Sequence, residues 1–163
     1  MAANAGTLLL ASALCLAAAT GVLTQLADRY EVQVTGHSNF NESIATCNKT
    51  YPISLATLIL RMLNNGTLPD ETNENARCFI ECMERQKGTV NTDGTWNTTL
   101  AEQIETDISI ARGKNHTEDI RKIVEECTTM TGSGSCMTVY LIKKCIDNRI
   151  TALRGPFQLD KHE

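Results

Sequence analysis

Hydrophobic positions along the chain recur at the three- to four-residue spacing of amphipathic helices, and no strand-like alternation of useful length is present. In one such segment the stripe consists of Leu100, Ile104 and Ile108, which is typical of a helix that buries a single face. Glycines separate the periodic segments from one another. The pattern predicts one compact all-α domain of about six helices. The predicted helices span residues 39–49, 54–64, 75–87, 98–112, 117–128 and 136–153.

The first part of the chain is distinguished by its lack of charge, since no charged side chain precedes Asp28. An apolar run over residues 8–16 is followed by three alanines before Thr20, which predicts a secretory signal peptide. A membrane anchor would need about 20 uninterrupted apolar residues, and polar residues break the run before that length. We therefore expect a secreted, extracellular protein. The expected segments are a signal peptide over 1–19 (a cut after Ala27 being the alternative), an N-terminal segment over 20–37, a helical domain over 38–155 and a tail over 156–163.

Charge and motif content exclude several functional classes. Fifteen basic and nineteen acidic side chains give a net charge of -4, whereas a nucleic-acid-binding protein presents a basic face to phosphates. The segment Gly132-Ser133-Gly134-Ser135 lacks the spacing of a hydrolase nucleophile elbow and is more simply a turn. No histidine lies near a cysteine pair, as a structural zinc site would require. We expect no nucleic-acid partner, no enzymatic activity, no metal and no cofactor.

The chain contains seven cysteines, and Cys15 lies within the predicted signal peptide. Removal of that peptide leaves an even set, which in a secreted domain indicates a disulfide framework. The six cysteines are separated by 30, 3, 44, 8 and 8 residues. They are Cys47, Cys78, Cys82, Cys127, Cys136 and Cys145. Spacing alone does not select among the many pairings that such a set allows.

Helical geometry restricts the pairings without fixing them. Cys78 and Cys82 are four residues apart and therefore share one face of a helix, so each is expected to bridge to a different distant element. Cys136 and Cys145 are nine residues apart, which places them on opposite sides of the last predicted helix. That helix is therefore expected to be held between two neighbours.

The sequence around these cysteines resembles the insect odorant-binding proteins of the pheromone/general-odorant-binding (PBP/GOBP) family. The segment from Ala76 to Met83 contains Cys78-x3-Cys82 and, with the following Lys87-Gly88 and Asp93-Gly94, looks like the third helix and loop of that family. Cys136-Met137-Thr138-Val139-Tyr140, ahead of Cys145, looks like its last long helix. The resemblance covers about residues 40–155.

The resemblance implies a fold, a disulfide pairing and a function. The implied fold is a set of helices around an apolar cavity, and the implied interlocked pairing is Cys47–Cys82, Cys78–Cys136 and Cys127–Cys145. The implied function is a secreted carrier that transports odorants, pheromones or similar small hydrophobic molecules through aqueous fluid. A membrane odorant receptor is the expected protein partner, and the carrier itself is expected to be a monomer or a weak homodimer. The alternative is a saposin-like, disulfide-rich protein that acts at lipid surfaces or in signalling.

The apolar stripes supply candidates for the lining of the cavity, although such stripes do not separate lining from core. The expected ligand-binding residues are Leu55, Leu58, Met62, Met83, Leu100, Ile104, Ile108, Val139 and Tyr140. The apolar tail that follows Gly155 has two interpretations, a cover over the cavity or a frayed end. The three histidines, His37, His116 and His162, fall in predicted loops or ends, so a strong histidine-driven acid switch is not expected.

Five Asn-x-Ser/Thr sequons are present, and each is a candidate for N-glycosylation in a secreted chain. Two of them lie seven residues apart on one predicted helix face, away from its apolar stripe, and three lie at predicted loop edges. The candidate acceptors are Asn41, Asn48, Asn65, Asn97 and Asn115.

Overall fold

The structure, a computed structural model, describes residues 40–155, and this range folds into six α-helices. Within that range the only β-pairing is an isolated bridge between Val90 and Trp96, so the predicted all-α class is confirmed. Every predicted helix boundary lies within one residue of the observed one. The predicted signal peptide, N-terminal segment and C-terminal tail lie outside the described residues. The helices are α1 (Phe40–Thr50), α2 (Leu55–Leu63), α3 (Glu74–Lys87), α4 (Thr98–Ala111), α5 (Thr117–Cys127) and α6 (Met137–Arg154).

Side-chain caps define where three of these helices begin. The Ser54 hydroxyl accepts a hydrogen bond from the Thr57 N–H at 3.1 Å ahead of α2. Asn73 and Asn97 accept bonds in the same way from the third residue of α3 and of α4. Each cap satisfies a backbone donor that the first turn would leave unpaired, which is worth about 1 kcal/mol. At the other end of α3, Gly88 adopts a φ of 81°, a left-handed conformation that glycine provides without steric cost.

Cys136 departs from the prediction, which placed it within the last helix. It lies just before α6 with a φ of 58°, in the left-handed region, so the helix begins at Met137. The preceding loop contains Gly132 and Gly134 and must turn sharply to bring this cysteine to Cys78. A left-handed residue ends helical geometry at that point, and periodicity alone carries no signal for it.

Three disulfides link the helices in an interlocked order, and their pairing is the one that the family resemblance implies. Cys47–Cys82 joins α1 to α3, Cys78–Cys136 joins α3 to the start of α6, and Cys127–Cys145 joins α5 to α6. Helices α3 and α6 therefore each participate in two bridges. The expected division of Cys78 and Cys82 between two distant elements is observed.

The core consists of three packed groups of buried side chains. The largest, the α4–α6 cluster, is formed by residues of α4, α5 and α6, and Ile120, Val124 and Cys127 are fully buried within it. Its buried members are Ala101, Ile120, Ile123, Val124, Cys127, Ile142, Ile146 and Ile150. The two smaller groups lie among α1, α2, α3 and α6, which are the elements that carry most of the candidate binding residues. None of the described helices is long and apolar enough to cross a membrane.

Candidate ligand-binding site

The two smaller apolar groups are joined through Ile53, which packs against both. The first, the α1–α3 cluster, is centred on Cys47, Phe79, Ile80 and Met83. The second, the α3–α6 cluster, is centred on Leu68, Ala76 and Tyr140. Together they form a continuous apolar region bounded by α1, α2, α3 and α6. Partly buried side chains contribute to the region, and these are Phe40, Ile44, Tyr51, Leu58, Cys82, Met137 and Leu141.

The structure brings three of the nine predicted lining residues into this region. Met83 is a buried member of the α1–α3 cluster and Leu58 packs against it from α2, while Tyr140 is fully buried in the α3–α6 cluster. None of the nine belongs to the α4–α6 cluster.

The other predicted lining residues fall into two groups. Ile108 and Val139 are buried and Leu100 and Ile104 are half-buried, but none of them joins either of the two apolar clusters. Leu55 and Met62 are exposed on α2, by 55% and 37% respectively. Residues on the α2 surface can therefore contact a ligand only at an edge of the apolar region.

Tyr140 is fixed in the region by a buried hydrogen bond. Its hydroxyl accepts the N–H of Leu68 at 3.1 Å, across 72 positions of sequence. Burial of the phenol, assisted by the nearby carboxylate of Glu71, raises the pKa of Tyr140 to about 12. The ring therefore stays neutral at physiological pH. Its hydroxyl is engaged with the backbone, and the Lys144 ammonium lies over the ring, 5.9 Å from the ring centroid.

Most residues of the region were not among the predicted site residues, and among them Leu68 and Ile53 lie in the loops on either side of α2. Leu68 is 2% exposed in the loop between α2 and α3, and Ile53 precedes α2. Each is an isolated apolar residue in a short polar connection. The available signal was an apolar residue next to a proline in each loop. Residues outside a helix have no periodicity, so the sequence does not show whether such a residue faces the interior.

The described interior also contains a group of ion pairs. Asp147 of α6 pairs with Arg61 of α2 and with Lys143 one turn earlier in α6. Lys143 also lies 3.7 Å from the Glu105 carboxylate of α4, and Glu105 in turn pairs with Arg154 at 3.1 Å. These five side chains are at most 20% exposed. We call them, together with Glu84, the buried ion network.

In the network, neighbouring opposite charges offset the effect of burial on the pKa values of Lys143 and Glu84. Burial disfavours the ammonium form of Lys143, but Asp147, Glu84 and Glu105 surround it and raise its pKa above the ordinary value. Burial likewise opposes ionisation of Glu84. The ammonium groups of Lys87 and Lys143 and the hydroxyl of Thr89 outweigh that effect and lower the pKa of Glu84 to about 2. Glu84 and Lys143 are therefore both charged at neutral pH.

Acid is expected to weaken the fold through Glu84. Because the folded-state pKa is lowered from 4.5 to about 2, the stabilisation is complete above pH 4.5 and is lost as the pH falls toward 2. At 1.36 kcal/mol per pKa unit, the contribution at stake is about 3 kcal/mol. We expect Glu84→Gln to remove this part of the acid dependence. Denaturant unfolding at a series of pH values measures it.

The exposed Glu74, on the same helix, provides the matched control. Glu74→Gln is expected to retain the acid dependence of the unchanged protein. An acid dependence that stays the same in Glu84→Gln would contradict the assignment to the buried carboxylate.

Helix α2 buries its one charged side chain and exposes leucines. Its one charged residue, Arg61, is 8% exposed and turned inward, whereas Leu60 is 50% exposed and Leu63 is 72% exposed. The inward arginine is held by Asp147, and Gly66 packs directly against that aspartate. A side chain at residue 66 would collide with Asp147, since its Cβ would lie 2.4 Å from the aspartate Cβ.

The described site offers hydrophobic burial. Within residues 40–155 no group of three or more His, Cys, Asp and Glu side chains is placed to hold a metal ion. The apolar region and the ion network meet on the inward faces of α2, α3 and α6. The apolar region suits contact with an apolar molecule, and the ion network links the helices to one another.

A comparison with known families agrees with this architecture. A sequence model described as the PBP/GOBP family matches residues 29–149, which is most of the chain. No curated protein and no solved structure matches the sequence. The six bridged cysteines and the six described helices fit the six-cysteine type of insect odorant-binding protein. On these grounds the chain is a member of the PBP/GOBP family.

Proposed function

We propose that the protein is a secreted carrier that binds small hydrophobic molecules, such as odorants or pheromones, and transports them through aqueous fluid. The observation that carries the proposal is the continuous apolar region around Ile53, bounded by four helices, of which α1, α3 and α6 are linked by disulfides. Membership of a binding family supports the same function. Three bridges are also what an extracellular domain is expected to contain.

The binding free energy would come from burial of apolar surface. Removal of apolar area from water stabilises a complex by about 25 cal/mol per Å². Met83 is a flexible side chain that adapts to different shapes, and Leu58 and Tyr140 supply a second and a third wall. Such a lining favours moderate affinity for several related molecules over high affinity for one.

The remaining candidate residues complete the proposed site. Ile104, Ile108 and Val139 would form the side that approaches the buried ion network, together with Leu100, which packs over Gly88. Leu55 and Met62 would meet a ligand only where it enters. A ligand with a polar end group would bind with that end near the buried ion network, because the charges of the network attract the dipole of the end group.

Displacement of a fluorescent apolar probe from the purified protein tests the carrier function. We expect displacement by medium-chain alcohols, aldehydes or fatty acids, with one molecule bound per chain in the absence of vesicles. Absence of binding across the three classes would refute the carrier function. Binding that requires phospholipid vesicles would instead support the lipid-surface alternative.

Leu58 and Leu60 provide a matched pair for locating the site. Both are leucines of α2, but Leu58 packs into the α1–α3 cluster whereas Leu60 is half exposed. We expect Leu58→Trp to fill the site and reduce probe affinity about tenfold or more, a change of about 1.4 kcal/mol. Leu60→Trp is expected to leave affinity unchanged. Equal effects of the two substitutions would place the site elsewhere, and a thermal melt of each variant confirms folding.

A further inference from the structure

The outward face of α2 is apolar over its whole length. Leu55, Leu60, Met62 and Leu63 are each at least 37% exposed, and the inward Arg61 leaves this face without a charge. We call these four side chains the outer face of α2. A contiguous exposed apolar surface either binds something or promotes association in a soluble protein. The question is what covers it.

A sequon lies where this face ends. The helix terminates in a Schellman-type turn, in which the Gly66 N–H donates to the Arg61 carbonyl at 2.8 Å. Asn65 occupies the left-handed position of this turn with a φ of 50°, a conformation that asparagine tolerates better than most residues. Its exposed side chain makes no hydrogen bond to any of the described residues. The turn therefore uses the backbone of Asn65 and leaves its amide in solvent.

Three of the other sequons engage their asparagine in the fold. The Asn97 side chain caps α4 through the Leu100 N–H and is half-buried. The Asn48 side chain accepts the Ile53 N–H at 2.8 Å. The Asn115 oxygen accepts the Thr117 hydroxyl at 2.8 Å. A glycan is attached to Nδ2, and the Asn97 Nδ2 already donates to the Gly88 carbonyl at 3.5 Å, so a glycan on Asn97 would compete with that bond.

We propose that Asn65 carries an N-linked glycan and that this glycan covers the outer face of α2. The transfer joins the Asn65 Nδ2 to the anomeric carbon of an oligosaccharide carried on a polyprenyl diphosphate. The bond between the sugar and the diphosphate breaks, the diphosphate leaves, and Nδ2 gives up one proton. Asn65 is one residue beyond the C-cap of α2, and the nine-residue helix extends about 13 Å from it. The C–H faces of sugar rings can cover leucine side chains over that length.

The glycan rests on the secretion component of the proposed function, since transfer occurs in the secretory pathway. The full chain is therefore expressed in eukaryotic secretory cells, and peptides from the secreted protein are mapped by mass spectrometry before and after glycosidase treatment. We expect the peptide that contains Asn65 to carry a glycan. If the protein is secreted without its signal peptide but Asn65 is unmodified, the glycan proposal is wrong and the secretion component of the proposed function stands.

Retention in the cytosol with the leader attached overturns both the glycan and the secretion component. Ligand binding by refolded protein from bacteria is measured independently of either result, so failure of the carrier function is distinguishable from failure of the glycan.

Two variants test the covering role by light scattering at increasing protein concentration. Asn65→Gln and Thr67→Ala both destroy the sequon, and the second leaves Asn65 and its turn in place. We expect both to self-associate, with an average mass that rises about twofold or more over the concentration series. Leu63→Glu, added to either variant, is expected to restore the monomer because Leu63 is the most exposed member of the outer face.

Asn115→Gln is the matched control, because it removes a sequon that lies on a different loop. It is expected to remain as monomeric as the glycosylated protein. A glycosylated Asn65 whose removal leaves the average mass unchanged would overturn the covering role. Self-association in Asn65→Gln that Leu63→Glu fails to reverse would do the same.

Discussion

Replacement of both cysteines of the Cys78–Cys136 bridge by alanine is expected to lower the free energy of unfolding by about 4 kcal/mol. This bridge closes the longest loop of the three, with a sequence separation of 58, so its removal restores the most freedom to the unfolded chain. It also holds Cys136 in the left-handed conformation from which α6 begins. Chemical denaturation of the oxidised protein, monitored by helical circular dichroism, measures the loss.

The Cys127–Cys145 bridge provides the comparison. Its sequence separation is 18, for which the same chain-entropy relation gives about 3 kcal/mol. We therefore expect the double alanine variant of this pair to unfold at a higher denaturant concentration than that of the longer bridge. If removal of the Cys78–Cys136 bridge cost less than about 1 kcal/mol, the bridge would not be a determinant of stability.

Replacement of Lys143 by methionine is expected to have an effect of similar size, about 3–5 kcal/mol at neutral pH. Methionine retains the length of the side chain but leaves Asp147, Glu105 and Glu84 without the ammonium that lies among them. Uncompensated carboxylates in a buried site are costly, and this cost exceeds what the pair itself contributes. The loss is measured by denaturant unfolding.

Lys144 is the matched control for this prediction, since it is the next residue on the same helix. Its ammonium lies 2.7 Å from the Glu71 carboxylate, and both side chains are more than a quarter exposed. Lys144→Met is therefore expected to cost about 1 kcal/mol or less. Equal free energies of unfolding for Lys143→Met and Lys144→Met would contradict the stabilising role of Lys143 in the buried ion network.

The sequence predicts the helices and bridges of this protein well, and the reasons are physical. Stripes such as Leu100, Ile104 and Ile108 require a helix to bury them, and Gly88 marks where one helix ends. The pairing came from the family resemblance, with the four-residue spacing of Cys78 and Cys82 as independent support. Cys136 was misplaced because a left-handed residue at a helix start depends on the path of the preceding loop.

The buried charges were harder to predict, because the periodic pattern of a helix assigns charged residues to its exposed face. Arg61, Lys143 and Glu84 lie on helices where charge would normally face water, yet each is at most 11% exposed. Their burial depends on partners contributed by other helices, and no local pattern contains that information. The same limit applies to Leu55 and Met62, which continue an apolar stripe but lie on the outer side of α2.

The distribution of the bridges has a consequence for motion. Among the described helices, α2 and α4 contain no cysteine, and both are tied to α6 through ion pairs, Arg61 with Asp147 and Glu105 with Arg154. Covalent links hold the other four helices together, whereas α2 and α4 are held by non-covalent contacts alone. Local opening should therefore occur at α2 and α4 first, with the fastest amide hydrogen exchange of any helix there. The covalently linked helices would stay closed while these two helices move aside.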